Sequence, residues 1–465
     1  MNECLKPRLR SLLVLPAVFL FVTPCFAQST SIDQSPSSAS FQFTQVDLNL
    51  LAEVNEFDKQ LSRKGLVLKD PIATAYVQSV GEKLLGNQPP PERVEFKFRV
   101  LRDPTINAFA LPNGSIYVNS GLVALLNNEA ELASVLGHEI THVINRHTYI
   151  YNRSVRKKMV MIDIFQAAGA ASGFFPSGSV TGAVLAISGM LGQVMVVTTI
   201  FGYSRDLERE ADRYGLDRMY HAGYDPHAMP RTFELLDERL EFEPVEGLYR
   251  DHPKLKERQE TTQEMAEKRG GRGLLVGTES DYLDNISAAV CYNVRADLEG
   301  RRARTALARS RKLTQWQPQE SSYLVLEADS FRVLGAKTAL PSPEELQKHG
   351  QAEHRKRYFK LTEEEEQREL LAKPTGPEQL QANLEKAEKY YHSAIQANER
   401  FADPHRGLGF LYQRQGKTAD ALREYQLYLS LAPPDAFDRL RIERRLTALQ
   451  PGAAPNTVTP AKAPE

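Results

Sequence analysis

Cysteine is almost missing from this sequence, with three in 465 residues. Cys4 and Cys25 fall within the first 27 residues, so a chain processed there keeps Cys291 alone and can form no internal disulfide. An exported protein of this kind is held by its cores, and by a metal if it binds one. That suits a bacterial periplasm better than a disulfide-rich extracellular setting. An excess of one charge is also lacking, since 59 acidic side chains face 58 basic ones. The balance argues against a nucleic-acid-binding stripe and against a polyanionic tail. Long apolar runs are scarce as well, and two stand out. Leu12–Val22 follows Lys6, Arg8 and Arg10 and precedes Cys25-Phe26-Ala27, a pattern that predicts a signal peptide over 1–27 with cleavage near Ala27. That run is too short to cross a bilayer comfortably. Thr181–Phe201 carries no charge and is long enough to cross one, but Ser188, Gln193, Thr198, Thr199 and three glycines interrupt it. It reads as a buried helix, a flap over a cleft, or a segment in peripheral contact with membrane or apolar substrate.

At 465 residues, two or three domains are expected. A Ser/Gln-rich linker at 28–40 precedes helical patterns near Val46–Ser62 and Asp70–Leu85. Alternation in Glu95–Leu101, and two short runs around Pro112-Asn113-Gly114, predict three strands. A helix should start near Asn128 and another should cover Tyr203–Pro226. The fold class is therefore α+β and mainly helical, with a first domain at 41–268. A second, all-α domain is expected at 275–448. There Leu408, Gly409, Tyr412, Ala421, Tyr425 and Pro433 fall at tetratricopeptide positions, and Ala387 and Tyr391 precede Ala421 and Tyr425 by 34 residues. A related first helix is read at Tyr323–Ala336, split from its partner by a charged insertion at about 337–377. One repeat cannot bury its own face, so the array needs stacked neighbours. Residues 449–465 read as a disordered tail.

The chemistry sits in "GHEITHVINRH", residues 137–147. His138 and His142 are four apart, so a helix projects both imidazoles from one face toward a single zinc ion. Glu139 lies beside that face, where it can take a proton from water at the metal. A catalytic zinc needs a third protein ligand. His147 follows His142 by five residues and, on a continuing helix, turns away from the metal face; Asn145 occupies the position where elongated three-histidine motifs carry a turn-making glycine. His147 is therefore read as a helix-end bystander. Glu208 and Asp212 share a helical face downstream, so one carboxylate can bind the ion while the other accepts a hydrogen bond from a ligating histidine. Glu210 is expected on the surface.

Together, "NAFALPNGSIYVNSGL", "HEITH", "EREAD" and "HPKLKER" resemble family 48 of the metallopeptidases, the zinc enzymes that include the CAAX prenyl proteases and HtpX. The resemblance spans about residues 45–265. It implies a gluzincin-like core with one zinc on His138, His142 and Glu208, and Glu139 as general base. Asp212 would stand behind the ligands, with Arg258 near His252. His252 would either donate to the oxyanion or occupy the open metal position as a latch. The strand Ser115, Ile116, Tyr117, Val118 and Asn119 would offer an unpaired edge to a substrate peptide. With the leader and repeats, the expected protein is an exported endopeptidase with chaperone character. The resemblance implies misfolded envelope proteins and the outer-membrane assembly machinery as its partners. A latched, non-proteolytic scaffold is the alternative.

Overall fold

A computed structural model describes residues 41–154, 203–240, 252–271, 274–300, 302–335 and 377–450. The expected signal peptide, the linker, the apolar stretch 181–201, the charged insertion up to residue 376 and nearly all of the tail lie outside those residues. Among the described residues, no helix is long and apolar enough to cross a membrane.

Two capped helices open the chain, α1 (Gln45–Arg63) and α2 (Pro71–Leu85). Thr44 and Asp47 satisfy each other's backbone donors at the start of α1, and Asp70 accepts from the Ala73 N–H at the start of α2. Such caps are worth about 1 kcal/mol each. One sheet follows, built from β1 (Lys97–Leu101), β2 (Ala108–Ala110) and β3 (Ser115–Asn119) in the order β1-β3-β2. β1 pairs with β3 in parallel, from Lys97 opposite Ser115 to Leu101 opposite Asn119. β2 pairs with β3 antiparallel, with Phe109 opposite Tyr117, through the turn foreseen at Pro112-Asn113-Gly114. Gly114 is required in that turn: its φ is +98°, and a Cβ there would lie 2.5 Å from the Glu95 carbonyl oxygen.

The sheet order corrects one expectation. Ser115, Ile116, Tyr117, Val118 and Asn119 form the central strand, bonded on both sides and buried throughout, so β3 has no free edge to offer a peptide. Its two faces serve different cores. Tyr117 points into a cluster with Leu50, Val54 and Phe57 of α1, whereas Ile116 and Val118 join the main core. A strand covered on both faces reads as continuously apolar and carries no mark of its place in the sheet.

α3 (Ser120–Leu125) leads through a three-residue extended link into α4 (Glu129–Ile144), which Asn128 caps by accepting from the Glu131 N–H. Every residue of α4 from Ala130 to Ile144 is buried. Polar side chains in such a helix must be partnered, since an unmet buried polar group costs roughly 2–7 kcal/mol. Thr141 accordingly donates to the Gly137 carbonyl at 2.9 Å, and Ser134 meets the Thr232 hydroxyl at 2.9 Å. The helix ends at Asn145, and Arg146 adopts a left-handed φ of 62°. Arg146 donates to the Glu92 carbonyl and lies over the rings of Phe41 and Phe43, which hold the turn closed. The chain re-enters helix at 147–154.

α5 (Arg205–His221) packs against α4, and α6 (Ala228–Leu240) and α7 (His252–Arg269) pack around them. Gly137 and Gly215 face each other where α4 and α5 meet; a Cβ on Gly215 would lie 2.9 Å from the His138 backbone nitrogen. Ala211 is wholly buried at the same contact.

The remaining helices are α8 (Glu279–Glu299), α9 (Ala303–Trp316), α10 (Ser321–Leu334), α11 (Pro377–Ala397), α12 (Asp403–Arg414), α13 (Thr418–Leu431) and α14 (Arg439–Leu449). Tyr282, Ile286 and Val290 of α8 and Leu313 of α9 belong to the same core as α2, α3 and α4. A second core begins at Leu324 and gathers α10 to α14. α10 and α11 lie side by side despite the long segment between them, and α12 packs on α13. Gly407 lies under the Tyr391 ring and Gly409 under Tyr425, where a Cβ would come within 2.2 and 2.3 Å of ring carbons. Ala387, Leu408 and Ala421 are fully buried around them.

Candidate metal centre

Helical spacing places the imidazoles of His138 and His142 together on α4, and their Nε2 atoms are 3.0 Å apart. Glu208, in the first turn of α5, closes the triangle. Its Oε2 is 3.5 Å from His138 Nε2, and its Oε1 is 3.9 Å from His142 Nε2. Among the described residues this trio forms the one group of ligand atoms converging within 4.8 Å. An ion with tetrahedral bonds near 2.05 Å holds its ligand atoms about 3.3 Å apart, so the spacing fits a single small divalent cation. The donor set fits as well: two imidazole nitrogens and a buried Glu208 Oε2 that accepts no hydrogen bond within the described residues. Arg258 Nη1 stands 3.5 Å from that oxygen without hydrogen-bonding it, so a buried lone pair remains for a bound cation.

His138 is held from behind. Its Nδ1 lies 2.9 Å from Asp212 Oδ1, and Arg258 grips both oxygens of that carboxylate, Nε to Oδ2 at 2.8 Å and an Nη to Oδ1 at 2.7 Å. Because Nδ1–H donates to Asp212, the Nε2 lone pair faces the site. Burial and Arg258 press the His138 imidazole down, but Asp212 and Glu208 outweigh them and hold its pKa up at about 9, so an ion arriving at Nε2 displaces a proton there. Burial alone would raise Asp212, yet Arg258 and His138 bring it down to about 2. For His142, burial dominates, and the neighbouring charges of His138, His147 and Arg258 join it in holding the ring well below its usual value. A neutral imidazole is the form that binds metal.

Glu139 is buried beside the trio. Burial pushes its carboxyl up to about 7, and the charge of Glu208 works in the same direction, while the Ala110 backbone of β2 offsets part of the rise. α4 packs against β2, whose outer edge has no strand partner among the described residues. The edge that faces the site is therefore β2, not β3.

His252 is the first residue of α7, and its side chain lies outside the described residues. Arg258, six positions on, reaches Asp212 behind His138. His147 and Glu210 depart from the sequence reading. α4 does not continue past Asn145: the left-handed Arg146 turns the chain, and His147, with no exposed surface, comes back with Nδ1 2.9 Å from His142 Nδ1. Glu210 is partly buried, accepts from Asn145 Nδ2 at 2.7 Å, and has an oxygen 3.8 Å from His147 Nε2. Tyr203 is a further neighbour that the motifs did not mark. Its ring stacks on His142 with centroids 4.1 Å apart, and its hydroxyl meets Thr148 Oγ1 at 2.7 Å.

The family profile described as Peptidase family M48 matches residues 71–266, from the first residue of α2 into α7. Residues 71–266 form an M48 peptidase domain. The M48 domain contains all three converging ligands, Glu139, Asp212 and Arg258. Among curated proteins, the chain is 28% identical over 252 residues to a beta-barrel assembly-enhancing protease of Escherichia coli K12, covering 54% of this chain and 50% of that protein. It is 29% identical over 184 residues to the Yersinia pestis protein of the same name, covering 40% of this chain and 37% of that one. It is also similar to Metalloprotease LoiP of Escherichia coli K12, with 27% identity over 254 residues that span 54% of this chain and 94% of LoiP. The chain thus spans half or less of the beta-barrel assembly-enhancing proteases compared here.

Proposed function

We propose that this chain is an exported zinc-dependent endopeptidase that works in the bacterial periplasm on misfolded or stalled outer-membrane proteins. The observation that carries the reading is the convergence of His138 Nε2, His142 Nε2 and Glu208 within one buried triangle, with Glu139 beside it. Zinc held by His138, His142 and Glu208 would supply Lewis acidity toward a peptide carbonyl and ease deprotonation of water at neutral pH. Glu139 would accept the proton of the attacking water on its carboxylate and return it to the departing amine; burial, which holds its carboxyl up, makes it a stronger base than an exposed glutamate. Asp212 and Arg258 hold His138 in the tautomer that keeps Nε2 unprotonated toward the ion. An extended substrate would add to the free edge of β2, which gives recognition through the backbone and tolerance of side-chain sequence. His252 would serve as oxyanion donor or latch.

The helical pairs α10–α11 and α12–α13, with glycines seated under Tyr391 and Tyr425, support a tetratricopeptide-like array. That array would recruit unfolded envelope clients or a component of the outer-membrane assembly machinery. The relatives' name, beta-barrel assembly-enhancing protease, supports the same assignment.

The test compares the purified chain with Glu139→Gln on an unfolded outer-membrane β-barrel protein, alongside metal analysis. The expected outcome is one zinc per chain in both proteins and cleavage by the unsubstituted chain only. Equal, negligible cleavage by both, with both still promoting barrel assembly, would make the chain a scaffold rather than a protease.

A further inference from the structure

The two histidine ligands of the proposed site are supported differently. Behind His138 stands a carboxylate, Asp212, itself clamped by Arg258. Behind His142 stands another imidazole: His147 Nδ1 is 2.9 Å from His142 Nδ1, and both rings are buried. Where no cation lies between them, two imidazole nitrogens in contact need a hydrogen on one and a lone pair on the other. If His142 is to present the Nε2 lone pair to an ion, its hydrogen must be on Nδ1. His147 must then accept at Nδ1 and carry its own hydrogen on Nε2. The environment suits that arrangement. His147 Nε2 has no hydrogen-bond partner among the described residues, and Glu210 Oε1 lies 3.8 Å from it, an oxygen that favours an N–H pointing its way. Asn145 holds that oxygen in place with a 2.7 Å hydrogen bond. The left-handed turn at Arg146 brings His147 back to this position; on an uninterrupted helix, a residue five beyond His142 would face elsewhere.

We propose that His147 is a positioning residue for metal binding: by accepting from His142 Nδ1–H it fixes the His142 tautomer and ring orientation that leave Nε2 free for the ion. Tyr203 completes the support by stacking on the face of the same ring. The inference rests on the metal site proposed above. It assigns to His147 the task that Asp212 performs for His138. Losing a partner of this kind typically lowers metal affinity 10–100-fold.

The experiment measures zinc affinity of the full chain by competition with a chromophoric chelator, together with apo-protein melting and the visible absorption of the cobalt-substituted form. The variants are His147→Leu, which fills the space without an acceptor, and His147→Asn, whose Oδ1 stands near the former Nδ1. The expected result is zinc affinity about 10–100-fold weaker for His147→Leu, an altered cobalt spectrum, and recovery of most of both by His147→Asn. Equal affinity in the two variants overturns the proposal, whether both match the unsubstituted chain or both are weakened alike, since shape alone then accounts for the position. If His147→Leu does not fold by its apo melt, His147→Gln replaces it: its acceptor sits one bond too far, and affinity equal to that of His147→Asn again overturns the proposal. An unsubstituted chain that binds no zinc would instead refute the metal site itself.

Discussion

Replacing Gly215 with alanine puts a methyl group into the narrowest gap of the metal centre. The new Cβ would lie 2.9 Å from the His138 backbone nitrogen and 3.1 Å from both the Gly137 carbonyl carbon and His138 Cα. Carbon atoms pack comfortably at about 3.5–4.0 Å, so α4 and α5 must part by about 0.5 Å. Neighbouring atoms here are backbone, with no flexible side chain to give way. Overpacking of this size costs about 1–3 kcal/mol, and the helix preference of alanine over glycine returns about 1 kcal/mol. The net destabilisation is therefore about 0–2 kcal/mol, a fall in melting temperature of up to about 8 °C at about 2–4 °C per kcal/mol. Metal binding should suffer more than folding does. His138 and His142 ride on α4 and Glu208 on α5, and ligand distances tolerate only about 0.2 Å of error. Zinc affinity should fall by about tenfold or more, with proteolysis falling in step. Chelator competition and apo melting, run on the same preparation, separate the two effects. Unchanged zinc affinity together with an unchanged melt would refute the reasoning, because the two helices could not then be in backbone contact at Gly215.

Other perturbations have equally definite outcomes. Asp212→Asn removes the charge that Arg258 grips and weakens the acceptor for His138 Nδ1, so zinc affinity should drop about 10–100-fold in the same competition assay. Chelating the metal should lower the melting temperature of the unsubstituted chain, because zinc held at 1,000 times its Kd contributes about 4 kcal/mol; identical melts with and without chelator would count against a bound ion. In the helical module, burial alone would raise Asp329, but Arg332 and Arg406 hold its pKa below the ordinary value of about 3.9. Its contribution is therefore complete above about pH 4 and is lost as pH falls through the lower native value. Urea midpoints measured between pH 7 and pH 3 should decline less steeply for Asp329→Asn than for the parent chain.

The parts of the site that could be read from sequence are those encoded by helical spacing. His138 and His142, and likewise Glu208 and Asp212, are four apart, and an α-helix converts that interval into a shared face without further information. What escaped depends on backbone geometry that no spacing records. His147 was placed by assuming that α4 continues, yet the helix ends at Asn145 and a non-glycine residue, Arg146, takes the left-handed conformation. The energetic reason lies far off in sequence, in Phe41, Phe43 and the Glu92 carbonyl that hold the arginine. Strand order escaped for a related reason. The turn at Pro112-Asn113-Gly114 specifies that β2 meets β3, but whether β1 closes the other side depends on a parallel pairing that local pattern does not encode. The open strand edge therefore belongs to β2 and not to β3 among the described residues. Gly137 and Gly215 are each unremarkable in sequence, and only their juxtaposition shows why both are glycine.

The short helix α3 is clasped from the far side of the first core. Asn293 receives a hydrogen bond from Ser120, Tyr282 donates to the Val123 carbonyl, and Lys312 donates to the Leu126 carbonyl at the entrance to α4. These partners lie beyond residue 275, where the sequence alone would have the chain divided. A protein trimmed at residue 274 would uncover the apolar faces of α2 and α3 and strip the supports from the segment that leads into the metal-binding helix. A cut after Trp316 would in turn expose the first core, because Tyr323 and Leu326 of α10 belong to it and Thr314 of α9 donates to Glu327 of α10. The two cores are therefore joined at α10, whose Leu326 packs in the first with Leu313 of α9 and whose Leu324, Val325, Ala328 and Phe331 open the second.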